Sequence, residues 1–402
     1  MKNKQVTAKY LTFFIISLFI FGQSDNLFSQ SYPEKIRNIL FSKAGISEAD
    51  FSKIQQGELF TKLLASENKR EVAVFGITKI NTPLDLTLKT FQDTMSRQNK
   101  KSVIEMGNFS NSPIFEDFDS LKLEKIDIED LKKCQVGNCS LKLSASMIER
   151  FQKEIDWNAE NHSEQATILF KKLIFDYLQA YLARGDEALI EYQNERNRIS
   201  LRDEQISLLK NLIWIQEFAP EFYEYLKNFP RSELPNVRKS VNWTKVTFGL
   251  KPVIILTQTI TYTTEKEGVL QIISVSKQLY SSRYFDSSLG LTALIKFPAN
   301  DNFESYLFYT NHSRSSSLEG AFSQFKHEIV KREALEKLKP LLEDTKIYAE
   351  AALKNQNKTS EPVSEKDWTQ WFTENIFVIS GLVLAVFIGI FLIGRNRFQT
   401  KK

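Results

Sequence analysis

The chain has 402 residues, with 53 basic and 49 acidic side chains and a net charge of +4. Seven of the basic residues, Lys2, Lys4, Lys9, Arg395, Arg397, Lys401 and Lys402, lie in two acid-free ends, leaving 46 basic against 49 acidic residues, net −3, for the remainder. The high pI is therefore set by the ends, and it gives no support to a nucleic-acid partner, which needs a basic face on the folded part.

At the N-terminus, the three lysines precede an apolar run from Leu11 to Gly22 that is too short to span a bilayer. It has the shape of a secretory signal over residues 1–24, with cleavage between 24 and 30; an uncleaved anchor is the alternative. The part from 31 to 353 is then exported and long enough for one large domain or two smaller ones. Pro33–Ala44 and Glu48–Ala65 read as helices, the second with Ser47 as N-cap. Arg70–Ile80 is a half-buried strand, Pro83–Asp93 a short helix, and Leu121–Ile128 alternates like a strand. Cys134 and Cys139, the only cysteines, bracket Gly137 and Asn138, both turn formers, and an exported chain favours pairing them as a disulfide.

Residues 145–228 form a helical subregion. Leu169, Phe170, Leu173, Ile174, Tyr177, Leu178, Tyr181 and Leu182 recur at helical spacing against Lys171, Lys172 and Asp176. Residues 201–227 supply two more helices, broken near Pro220, and Gly185 with Asp186 ends one helix and caps the next. Pro252–Thr264, Val269–Lys277, Leu289–Phe297 and Phe303–Asn311 then read as strands whose short connections suggest an antiparallel meander. From Leu318 a helix presents Phe322, Phe325, Ile329, Leu335 and Leu338, and Pro340 kinks or restarts it. The expected class is α+β: an antiparallel sheet packed on a long C-terminal helix, with a helical middle.

Residues 354–375 form a polar tether. Residues 376–394 follow with no charge at all, long enough at about 1.5 Å per residue to cross a hydrocarbon core. Trp368, Trp371 and Phe372 sit where an interfacial anchor belongs, and the basic tail 395–402 is expected to stay cytoplasmic. The chain thus reads as a single-pass cell-membrane protein with its N-terminal domain extracytoplasmic. Gly381, Ala385 and Gly389 place three small residues on one face of the span, a candidate homodimer contact.

Strands followed by a long helix resemble the START-like helix-grip fold, with Arg70–Asp93 as its opening and the helices of 145–228 as an insertion. That resemblance implies an apolar ligand held between sheet and helix. In Cys134–Leu143, Ala183-Arg184-Gly185-Asp186 and Tyr280–Thr292 the chain is similar to uncharacterised exported, membrane-anchored bacterial proteins, a likeness that implies no activity.

The search for chemistry yields no nucleophile elbow, phosphate loop, paired-histidine zinc helix or haem motif. No cofactor or metal is implied. Of the three histidines, His162 looks like a helix-start residue, His327 sits on a solvated helix face, and His312, leading into Ser313 and Arg314, is the one placed for a functional loop. Lys277, Tyr280, Tyr284 and Phe285 combine aromatic and polar side chains as a ligand pocket does, alongside His312 and Arg314; an ordinary aromatic-rich hairpin is the alternative. The leading expectation is a membrane-tethered binding or accessory protein for an apolar or lipid-like ligand. The alternatives are an extracytoplasmic hydrolase using His312 or Arg314, and an assembly partner acting through the span; whether the chain is an enzyme stays open on its residues.

Overall fold

The computed structural model describes residues 32–356, apart from 248–249, 298–303 and 321. The predicted signal segment, nearly all of the tether, the span with Gly381, Ala385 and Gly389, and the tail lie outside the described residues. Among those described, no helix is long and apolar enough to cross a membrane.

The chain opens with α1 (Tyr32–Ala44) and α2 (Glu48–Gln55). Ser47 caps α2 reciprocally: its hydroxyl accepts from the Asp50 N–H at 3.1 Å while the Asp50 carboxylate accepts from the Ser47 N–H at 3.2 Å. The helix expected over Glu48–Ala65 stops here. Gly57 turns the chain at φ 93°, and β1 (Phe60–Leu64) pairs with β2 (Glu71–Ile80) from Phe60 opposite Ile77 to Leu64 opposite Ala73. Sheet pairing overrides the local helical preference, because a neighbouring strand satisfies this backbone.

Next come α3 (Leu84–Asn99), six residues longer than expected at its C-terminal end, and β3 (Val103–Asn108), which the sequence did not reveal. The strand expected over Leu121–Ile128 is instead a loop followed by α4 (Lys125–Lys133). Its start is fixed by Asp127, whose carboxylate accepts from the Glu124 N–H at 3.0 Å, and Ile128 and Leu131 share its buried face. The disulfide Cys134–Cys139 is formed, with Cα atoms 4.4 Å apart.

The helical middle comprises α5 (Ala145–Glu154), α6 (His162–Arg184), the short hairpin β4 (Glu191–Tyr192) and β5 (Ile199–Ser200), then α7 (Leu201–Asn211), α8 (Ile213–Phe218) and α9 (Pro220–Asn228). Three helices replace the two expected of 201–227, and Pro220 sits at the first position of α9, where its missing N–H costs nothing. Gly185 ends α6 at φ 63°, and Asp186 pairs with Lys277.

The second half is the meander: β6 (Val237–Val246), β7 (Val253–Lys266), β8 (Val269–Ser281), β9 (Ser287–Phe297) and β10 (Glu304–Arg314), closed by α10 (Ser323–Gln356). Pro340 does not interrupt α10. The eight long strands form one sheet in the order β1-β2-β10-β9-β8-β7-β6-β3, with every neighbouring pair antiparallel. The early strand β2 thus lies beside β10, the last of the meander.

Alternation divides the strand residues between two layers. Phe75, Ile77, Tyr306, Phe308, Val275 and Trp243 join the large core shared with the helical middle. Val72, Val74, Leu307, Tyr309, Leu294 and Ile272 join a second core with α3 and α10. The architecture is α+β: an eight-stranded antiparallel sheet between the helical middle on one face and the long C-terminal helix with α3 on the other.

Candidate functional site

Both strands that carry the site point alternate residues at the helical middle. On β10 these are His312 and Arg314, continuing the row of Tyr306 and Phe308; on β2 they are Glu71, Ala73 and Phe75. The register sets Arg314 directly opposite Glu71. Arg314 donates from Nε and Nη2 to Glu71 Oε2 at 2.8 and 2.7 Å, and His312 Nδ1 lies 2.9 Å from Glu71 Oε1. Arg314 reaches on to α7, at 2.8 Å from Glu204 Oε2 and 3.0 Å from the Ser207 hydroxyl. Arg70 joins Glu204 to Asp286, which also takes Lys142 at 2.8 Å and the Ser316 hydroxyl at 2.9 Å.

Three cations, Arg70, Lys142 and Arg314, here face three carboxylates, Glu71, Glu204 and Asp286. Burial raises the Glu71 pKa, but His312 and Arg314 outweigh it and hold the carboxyl below its ordinary value. Such a balanced set joins the sheet to the helical layer. It is not arranged for nucleophilic catalysis. A base that activates a serine needs that hydroxyl on its free ring nitrogen, whereas His312 Nε2 is buried and has no hydrogen-bond partner.

The six residues expected to line one pocket fall in four places. Lys277 is half-buried beneath α6, paired with Asp186 and 5.6 Å from the centre of the Tyr181 ring; desolvation lowers its pKa, and Asp186 partly restores it. Tyr280 is fully buried between Phe170 and Tyr192, with ring centres 6.3 and 6.2 Å away, and burial pushes its phenol well up. Tyr284 and Phe285 pack with Val246, Val253 and Ile255 in a small separate cluster. His312 and Arg314 belong to the ion network, inside β10 rather than on a loop after it. His162 opens α6 as expected, with Nδ1 2.8 Å from the Ala159 carbonyl. Among the described residues no group of three His, Cys, Asp or Glu side chains is placed to hold a metal ion.

A groove of about 810 Å³ lies elsewhere, between the β1–β2 hairpin and the first turns of α10. Leu63, Leu64 and Val72 form its sheet wall, Leu318 and Ser323 its other side, and Lys69, His327, Glu328 and Lys331 stand among its polar groups. Its origin is local. Further along, Val330, Ala334, Leu338 and Leu342 bury themselves against the sheet, and Gly76 admits the helix: a Cβ there would come within 2.5 Å of Leu342 Cδ1. Closer to Ser323 the helix no longer fills the space over the hairpin. The volume falls in the range of ligand pockets, and the lining mixes apolar and polar groups as such pockets do.

The groove drew no attention in the sequence, since its walls are ordinary residues far apart in the chain, Leu63 to Ala73 on one side and Leu318 to Lys331 on the other. The glycine inside the otherwise apolar strand β2, Gly76, marks only the close approach of α10 further along, not the groove itself. No protein-family model and no curated protein matches this chain.

Proposed function

We propose that this is a membrane-tethered extracytoplasmic binding or accessory protein, anchored through residues 376–394, whose ligand occupies the groove under the start of α10. The observation that carries this reading is the groove itself: a cleft of about 810 Å³ with Leu63, Leu64, Val72 and Leu318 on its walls and charged groups beside them. This lining suits an amphiphile with an apolar chain and a polar head. The pairing of β2 with β10 under a gripping C-terminal helix adds support, because a helix-grip arrangement is the one the sequence resembles.

The hydrolase reading is the weaker one, since the His312–Glu71 pair has no serine on its free nitrogen. The test is native mass spectrometry of the detergent-solubilised chain. The wild type should carry lipid, and the double change Ser323→Trp with Gln324→Trp, which fills the groove from α10, should lose it. A wild type that carries no lipid rejects the proposal.

A further inference from the structure

Phe322 and Phe325 are 78% and 54% exposed, beside groove residues Gly320, Ser323 and Gln324. Leaving two phenylalanines in water forgoes about 1.5–3 kcal/mol each relative to full burial, so a surface that covers them is expected. Phe325 lies on the outward face of α10, followed by Arg332, Glu336, Lys339 and Glu343 and, near the end, by Ile347, 55% exposed. The charges between the apolar ends are of both signs. That face suits the headgroup level of a bilayer, where apolar side chains dip and charged ones stay wet.

The chain lengths agree. The 34 residues of α10 span about 51 Å. The 19 residues from 357 to 375 reach at most about 63–68 Å when extended, so the helix can lie along the surface of the bilayer that holds 376–394.

We propose that Phe322 and Phe325 dock the mouth of the groove onto the bilayer surface, so that an amphiphile passes between membrane and groove without crossing water. The docking rests on the groove reading for its purpose but not for its test. The mixed charges make contact independent of anionic lipid.

The experiment uses the full chain in phosphatidylcholine nanodiscs, with benzoylphenylalanine introduced at Phe322, at Phe325, or at Ile168, which is 52% exposed on α6. After irradiation, lipid adducts are measured by peptide mass spectrometry. Adducts at 322 and 325 several-fold above those at 168 are expected. Adducts no higher than at 168, or protein–protein cross-links in their place, overturn the docking. Lipid carried by the wild type in native mass spectra reports on the groove separately. Adducts without carried lipid reject the groove reading alone; carried lipid without adducts rejects the docking alone.

Discussion

Glu71→Gln keeps the side chain's shape and removes one charge from a site where the glutamate is only 1% exposed. Arg70, Lys142 and Arg314 would then face only Glu204 and Asp286, and Arg314 would lose the carboxylate that takes two of its N–H groups. Breaking a buried pair from one side strands the other charge and costs about 3–5 kcal/mol. At roughly 2 °C per kcal/mol for a chain of this size, the melting midpoint should fall by about 6–10 °C. The acid limb should change as well. The folded state holds the Glu71 carboxyl below 4.5, its ordinary value, so the native protein binds fewer protons there than the unfolded chain. Its contribution is complete above that value and is lost as pH falls through the lower folded one. The Gln variant lacks this loss, so the two stability curves should converge with acid. The assay is thermal unfolding of the detergent-solubilised chain, followed by tryptophan emission across the acid range. Glu154→Gln serves as control, because its pair with Arg150 is exposed and follows helical spacing; its midpoint should match the wild type. A Glu71→Gln midpoint equal to the wild type at neutral pH, or curves that stay parallel in acid, would refute the account of the network.

Other outcomes follow from single sites. Gly185→Ala should destabilise by more than about 3 kcal/mol, since its φ is 63° and a Cβ would overlap the Phe229 carbonyl oxygen; a soluble variant with a wild-type midpoint contradicts this. Cys134→Ser with Cys139→Ser should cost about 2 kcal/mol, the closure entropy of so small a ring, measured as a midpoint shift without reductant. Gly381→Leu with Ala385→Leu should abolish dimers of the full chain in detergent if the span self-associates, and an unchanged oligomeric state rejects that contact.

The meander was legible because β7 to β10 each combine a suitable length with Gly, Pro, Asn or Asp at their ends. β6 was not. Trp243 and Val241 enter the large core, but Arg238, Ser240, Asn242 and Thr244 occupy the other face, so no apolar alternation stands out beyond one strand's neighbours. β3 is shorter still and exposes Ile104 and Met106 at 44% each; only its register with β6 makes it a strand. The helix expected through Ala65 failed for the same reason, since residues 60–64 are claimed by β2. Of the site, His312 and Arg314 stand out in the sequence as candidate ligand-lining or loop residues, whereas the structure places them in a buried ion network whose partners are invisible in the sequence. Glu71 lies 243 residues from Arg314, and Glu204 110.

The α+β class, the meander, the core-facing helix α6, the long C-terminal helix and the cysteine pair can all be read from local sequence. These follow from periodicity and turn chemistry, which act over a few residues and can be read without partners. Long-range packing alone places β2 beside β10, brings three cations and three carboxylates together between sheet and α7, and lets α10 grip at Gly76 while leaving a groove over Leu63 and Val72. Each of these depends on which surfaces meet after the chain has folded back across more than a hundred residues, and burial and pairing free energies, rather than local preference, select among those meetings.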